Sequence, residues 1–501
     1  MELSVQSQSY HFLRNIVQEV RFQEETAEMI VPDSCPDISS IVDCSAEAIL
    51  RGKDCRDGGV TIAGGVKGGV ICIPEDQSHP RHMEVYIPFA VKFDHPALTP
   101  HGQVLCSVRV CSVDARMINS RKVMLRVNLG CEITVYENCS DAQYQLEEDI
   151  PGLQTKTASY TTLIPLETGE KSFSVGDTIE MPLGRPPVSE VYGLRCRAEV
   201  TDEKLVGNKA VFKGVLRYRM LYLSENGMLY AHEETIPFSQ YCEMGMDYDE
   251  ETVHTKLMIT GYDLQTPVGD DEHYTVTVNI LAQCVVSGLK TVRLIEDAYS
   301  TKGRLLPQWK EFELEGSLDR HTATQTVRHR LSGGVRDVLD VSIYYDYPVV
   351  IRETDKSTVK VPMTVRVLGY DESGNLVSLA SKLESAYDIA LFCGAGCHAF
   401  ADPVGEVSAA ADAGGVETKC SVRLDVLCCS QEKLRTMCAG VIEDLDTEDM
   451  RPALIVRKVG KNVPLWEIAK AYRTTVEDIL KANQLDSEEL DQDSMLLLPV
   501  L

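Results

Sequence analysis

The feature that most restricts the fold of this chain is a self-similarity with a period near 150 residues. Residues 32–42 read P-D-S-C-P-D-I-S-S-I-V and residues 182–192 read P-L-G-R-P-P-V-S-E-V-Y. Two prolines, the serines Ser39 and Ser189, and the apolar pairs Ile38/Val188 and Ile41/Val191 coincide at an offset of 150. Alternation follows in both copies: Cys44, Ala46, Ala48 and Leu50, then Leu194, Cys196, Ala198 and Val200. A third copy, offset by about 147 more, supplies Val338, Val341, Ile343 and Tyr345, with Gly333-Gly334 in place of the prolines. Each copy closes on another alternating run, at 123–129, 274–280 and 420–426. A period-2 pattern buries one face of a strand and wets the other, so the expected elements are antiparallel sheets over a core. Solenoid repeats run to roughly 20–50 residues, so a period this long is a domain duplication. The expected architecture is mainly β. It has three tandem β-sandwich-like units at 1–152, 153–290 and 291–445, the third degenerate.

Gly227 and Asn226 in one copy, and Gly374 and Asn375 in another, sit between alternating segments and predict hairpins, because both residue types accept positive φ cheaply. The composition of 431–441 predicts a short helix, and residues 446–451 read as an acidic, solvated linker. The pattern then changes. Residues 454–459 are strand-like, Leu465, Ile468, Ala469 and Tyr472 share one helical face, and Val476, Ile479, Leu480 and Asn483 share another. Thr474-Thr475-Val476-Glu477 has the spacing of a capping box, and Met495-Leu496-Leu497-Leu498 closes a strand before Pro499. Residues 452–501 therefore predict a small βααβ module.

A net charge of −27 excludes a nucleic-acid backbone or an anionic membrane surface as the main partner, since both would repel the chain. No run approaches the roughly 18–20 apolar residues of a membrane helix, and the basic start and apolar stretch of a secretory signal are not found at the N-terminus. The 17 cysteines lie mostly among apolar neighbours, as in Val426-Leu427-Cys428-Cys429, and read as free thiols in a reducing compartment. Cys393, Cys397 and His398 make a weak zinc candidate, because C-x3-C-H has no second knuckle to complete it. The run Gly64-Gly65-Val66-Lys67-Gly68-Gly69 departs from the phosphate-loop spacing and reads as a strand approached closely by its neighbours. With no nucleophile or metalloprotease signature either, the chain is expected to be no enzyme and to need no cofactor.

The C-terminal module resembles a LysM domain in Trp466-Glu467-Ile468-Ala469-Lys470-Ala471-Tyr472, in Thr474-Thr475-Val476-Glu477-Asp478-Ile479-Leu480, and in the closing Leu498-Pro499. Its first loop, Gly460-Lys461-Asn462-Val463-Pro464, is about two residues longer than the family's. With this module behind three repeats that open on Val31-Pro32, Pro36-Asp37-Ile38 and Ile41, the chain resembles SPOCS-domain proteins of the SipL type. That resemblance implies a mother-cell cytoplasmic protein of spore-forming Firmicutes, acting at the forespore surface in spore coat assembly. It implies a scaffold whose LysM domain binds the coat-basement ATPase SpoIVA, alongside other coat proteins. The LysM resemblance by itself implies a grip on the N-acetylglucosamine polymers of peptidoglycan. On the residues themselves, the helix faces claim the apolar positions and leave Lys461, Asn462, Val463, Trp466, Lys470 and Arg473 as candidate partner-binding residues. Residues 452–501 carry six basic and eight acidic side chains, so this end would steer an acidic partner with Trp466 as its anchor.

Overall fold

The computed structural model describes residues 1–76, 79–146, 150–179, 181, 184–265, 273–353, 356–389, 396–444, 454–490 and 492–499, with backbone only at 312–320, 396–397 and 428–432. The first unit comprises β1 (Val5–Ile30), β2 (Ile38–Arg56), β3 (Gly59–Pro74), β4 (Arg81–Asp94), β5 (Gln103–Asn119) and β6 (Lys122–Leu146). These make two antiparallel sheets, in the orders β1-β6-β5 and β2-β3-β4. The expected alternation is visible atom by atom in β6, where Val123, Leu125, Val127, Leu129, Cys131, Ile133 and Val135 are all fully buried. They meet Val66, Val70 and Phe93 of the facing sheet in one core.

The second unit follows the same route through β7 (Leu153–Ile179), β8 (Val188–Ser224), β9 (Leu229–Tyr248), β10 (Thr252–Gln265) and β11 (Tyr274–Ser300). Strand β8 does the work of two. It folds back at Gly207, whose φ of +56° suits glycine, and brings the Thr201 hydroxyl to the Lys213 carbonyl at 3.3 Å. The third unit runs through β12 (Gly303–Leu331), β13 (Val335–Tyr345), β14 (Val349–Arg352), β15 (Ser357–Asp371), β16 (Leu376–Ile389), β17 (Gly396–Asp412) and β18 (Gly415–Asp444). In each unit the first strand pairs with the last, the last pairs with the one before it, and the strands between form the facing sheet. A single pair, Ser317 opposite Leu163, joins β12 to β7, so that the outer sheets of the second and third units form one six-stranded sheet.

Two expectations shift and a third is untested. The change expected at 290/291 falls inside β11, which continues to Ser300, and the turn at 301–302 separates the second and third units. The helix expected over 431–441 is part of β18, paired residue by residue with β12, for example Met437 opposite Trp309. A long partner strand satisfies every backbone group there, and that outweighs helix-favouring local composition. The linker expected at 446–451 lies outside the described residues.

Gly64 to Gly69 lie in β3. A Cβ on Gly65 would stand 2.0 Å from the Tyr86 ring, and one on Gly68 2.3 Å from Leu125 of the other sheet, so close packing dictates these glycines.

The units are not beads on a string. Between the first and third, Asp43 accepts from Arg366 at 2.8 and 3.0 Å and from the Ser378 hydroxyl at 2.9 Å. Between the first and second, the Gln283 amide, fully buried, donates to the Cys106 carbonyl at 2.8 Å and accepts from its N–H at 3.0 Å. Lys256 meets Glu132 at 2.6 Å. Between the second and third, Asp340 holds both Arg195 and Arg219, the latter at 2.7 Å. All these groups are largely out of water, where ion pairs and amides bind strongly only when fully matched.

Candidate functional site

The C-terminal module is built from β19 (Leu454–Val459), α1 (Leu465–Tyr472), α2 (Val476–Asn483) and β20 (Ser494–Pro499). Its core is the apolar set read from the two helical faces, with Leu465, Ile468, Ala469, Ile479, Leu496 and Leu498 buried. Helix α1 ends because Arg473 adopts the left-handed conformation at φ 52° and returns its N–H to the last turn. The cap of α2 sits one residue later than the expected box. Thr475 accepts from the Asp478 N–H at 3.0 Å, and its hydroxyl donates to the Asp478 carboxylate at 2.6 Å. Glu477 pairs with Lys481 instead. The Asn483 amide then ties α2 to β20 through the Leu497 N–H and carbonyl, both at 2.7 Å.

The six candidate residues divide into two groups. Lys461, Asn462 and Val463 are exposed on the loop before α1. That loop is fastened to the one before β20, with the Lys461 N–H on Asp493 at 3.0 Å and the Asn462 N–H on the Leu490 carbonyl at 3.4 Å. Trp466 and Lys470 instead face β11 of the second unit. The Trp466 indole N–H donates to Asp297 at 2.8 Å, and the Lys470 ammonium reaches the two oxygens of the same carboxylate at 2.7 and 2.8 Å. Tyr299 packs edge-on against Trp466 with ring centroids 4.9 Å apart, and its hydroxyl donates to the Thr474 carbonyl at 2.8 Å. Arg473 is half-buried at the end of α1.

Asp297 and Tyr299 escape sequence reasoning because nothing in their own pattern marks them. A register shift between Ile295 and Asp297 interrupts the ladder with β7 at this place, the kind of bulge that re-aims a side chain. Burial would raise the Asp297 carboxyl, but the bonds from Lys470 and Trp466 hold it below its ordinary value.

A second feature was missed for a simpler reason. In the register of β19 and β20, Val456 lies opposite Leu497 and Leu454 opposite Pro499. Leu454, Val456, Met495 and Leu497 are exposed, while Leu496 and Leu498 between them are buried. Alternation in β20 thus separates two apolar faces, one for the core and one in water. Reading Met495–Leu498 as a continuous apolar run hides the outer face.

Cys393 lies outside the described residues, and of Cys397 only the backbone is described, opposite Cys428. His398 is a partly buried ring whose basicity is lowered chiefly by burial. Among the described residues no group of three metal-ligating side chains comes together.

The architecture is that of fused β units carrying a small C-terminal βααβ module. Residues 187–265 match the family model described as SipL, SPOCS domain, and residues 465–499 match the LysM domain model. The chain thus carries a SPOCS domain of the kind found in SipL and, C-terminal to it, a LysM domain. The SPOCS match begins just before β8 and ends with β10, so it takes in the facing sheet of the second unit and leaves the outer pair β7 and β11 outside. Comparison with curated proteins and with solved structures gave no match.

Proposed function

We propose that this chain is a non-enzymatic scaffold of endospore coat assembly. In this reading it works in the mother-cell cytoplasm at the forespore surface, holding a SpoIVA-like coat ATPase through its LysM module while the fused β units engage other coat proteins. SPOCS and LysM domains are non-catalytic families, which supports the class. The observation that carries the choice of surface is the exposed apolar face of Leu454, Val456, Met495 and Leu497. Exposed aliphatic side chains gathered on one two-stranded sheet mark a place that a partner covers. Lys461, Asn462 and Val463 extend this surface and give it a basic edge for an acidic partner. Trp466 and Lys470 act from behind, fixing the module against β11.

The test is capture of a purified SpoIVA-type ATPase by the full chain. Val456→Glu with Leu497→Glu is expected to reduce capture at least tenfold, and Lys461→Glu severalfold, with the melting of the β units unchanged. Undiminished capture by the folded double variant would remove the surface from the proposal.

A second reading, binding of N-acetylglucosamine polymers, is favoured by the LysM match itself. It predicts that the full chain sediments with purified peptidoglycan, and that loop variants at Lys461 and Asn462 abolish this while the sheet-face variant does not.

A further inference from the structure

Where the three units meet they form an open-mouthed cavity of about 380 Å3, lined from all three. Its wall carries seven arginine and lysine side chains and four carboxylates, on a chain of net charge −27. Three of these cations are matched at close range: Asp340 holds Arg195 and Arg219, Glu233 stands 2.8 Å from Arg219, and Glu132 takes Lys256. Arg109 is held by the Ala401 carbonyl at 2.9 Å and over the face of the Tyr347 ring, with Asp402 at 3.5 Å.

Arg197, Arg217 and Arg423 are different. The first two share one carboxylate, Glu199, each at 3.8 Å, and Glu199 already accepts from the Gly405 N–H at 2.9 Å. Arg217 also donates to the Thr235 hydroxyl at 2.9 Å and reaches Glu406 at 3.5 Å, but that carboxylate is 76% exposed at the rim. Arg197 donates to the Gly405 carbonyl, and Arg423 to the Val200 carbonyl at 3.5 Å. Ion contacts of 3.5–3.8 Å fall well outside the roughly 2.7–2.9 Å of a charge-assisted hydrogen bond. Positive charge in this space is therefore under-compensated, and with the Arg197 and Arg217 side chains only 27% and 17% exposed, solvent screens it incompletely. Asp402 agrees: burial should raise it, yet Arg109, Lys256, His254 and Arg423 hold it below the ordinary carboxylate value.

We propose that the cavity binds a small multivalent oxyanion, bearing phosphate or carboxylate groups, with Arg197, Arg217 and Arg423 as its ligating side chains. Planar guanidinium forks suit both groups, and three of them arriving from two units would let one ligand bridge the second unit to the third. Glu199 holds the place of the anion and competes with it. Glu47, on the first unit's side of the cavity, accepts from the Cys196 N–H at 2.9 Å and is raised to about 7 by burial, so it opposes an incoming anion less than a free carboxylate would.

The experiment is titration calorimetry of the full chain at low salt with two probes, inorganic pyrophosphate and citrate. Saturable binding near one per chain is expected for at least one of them. Pyrophosphate alone assigns a phosphate ligand, citrate alone a carboxylate. Arg423→Gln and Arg197→Gln should each weaken binding tenfold or more, while Arg56→Gln, at an exposed surface pair, should bind as the parent does. Glu199→Gln should tighten binding at least threefold, a gain that damage to the fold cannot produce. Failure of both probes to bind would overturn the proposal. So would unaltered binding in an Arg423→Gln variant with the parent's circular dichroism.

Discussion

The three β units and the LysM module are held to the same molecule by different means. Each unit meets its neighbours through several buried pairs spread over a wide surface, such as Asp43 with Arg366, Gln283 with Cys106, and Asp340 with two arginines. Among the described residues, the module meets the units at Asp297 and Tyr299 of β11. Distributed buried pairs make the units a single cooperative block, because any one broken pair leaves an uncompensated charge or an unpaired polar group inside. A narrow attachment fixes orientation but leaves separate unfolding within reach.

The largest effect expected from breaking this contrast is in the block. Asp43→Ala leaves the Arg366 guanidinium without its carboxylate in a site that is nearly dry, and should cost about 3–5 kcal/mol. Urea unfolding should show the loss across all three units together. A fall confined to the first unit would mean that the units are independent.

Asp297→Ala should act on the attachment alone. It orphans the Trp466 indole N–H, while Lys470, 40% exposed, turns back to water, so the cost is about 1–3 kcal/mol. Calorimetry should then resolve a separate, lower transition for the module, with the block's own transition in place. A depressed carboxyl stabilises docking above its unfolded pKa and loses that contribution as pH falls through the folded value. The attachment should therefore hold at neutral pH and weaken below about pH 4, which hydrogen exchange in α1 would report.

Glu47 sharpens the comparison in the opposite direction. Half open to the cavity yet enclosed by protein, its carboxyl is raised from 4.5 to about 7. A raised acid stabilises the fold below its unfolded pKa and loses that contribution as pH rises through the folded value. Stability of the block should thus fall by about 3 kcal/mol between pH 4.5 and 7, a slope that Glu47→Gln should flatten. The smallest effect expected is Thr475→Ala, which removes the cap of α2 and should cost the module about 1 kcal/mol without touching the block.

Much of the block was legible in the sequence because its cause is local and repeated. Every second residue from Val123 to Val135 is apolar or buried, and the same rhythm recurs from Val276 to Val286. The two helices of the module were legible for the same reason, from i, i+3, i+4 spacing. What could not be read arises from distance. Lys256 and Glu132, or Asp43 and Arg366, are far apart in sequence and carry no pattern that pairs them. The strand over 431–441 reads as a helix because its true partner, β12, lies more than a hundred residues away. Trp466 was legible as unusual, since it leaves the helix face, but its partner is set by an irregularity in β11 that composition does not announce.

The backbone bridge between Glu2 and Val441, with the Leu3 N–H on the Gly440 carbonyl at 2.9 Å, brings the first strand of the first unit beside the last strand of the third. The block is in that sense a closed circuit. A ribosome delivers the first unit long before the surface that seals it, and the seal waits until residues near 440 have emerged. Loop-closure entropy over such a span is recovered only at the last step, so folding should be late and all-at-once rather than unit by unit. Severing the chain at the Asn226-Gly227 turn and joining the old ends should move the delay without removing it, because a circuit has no first member.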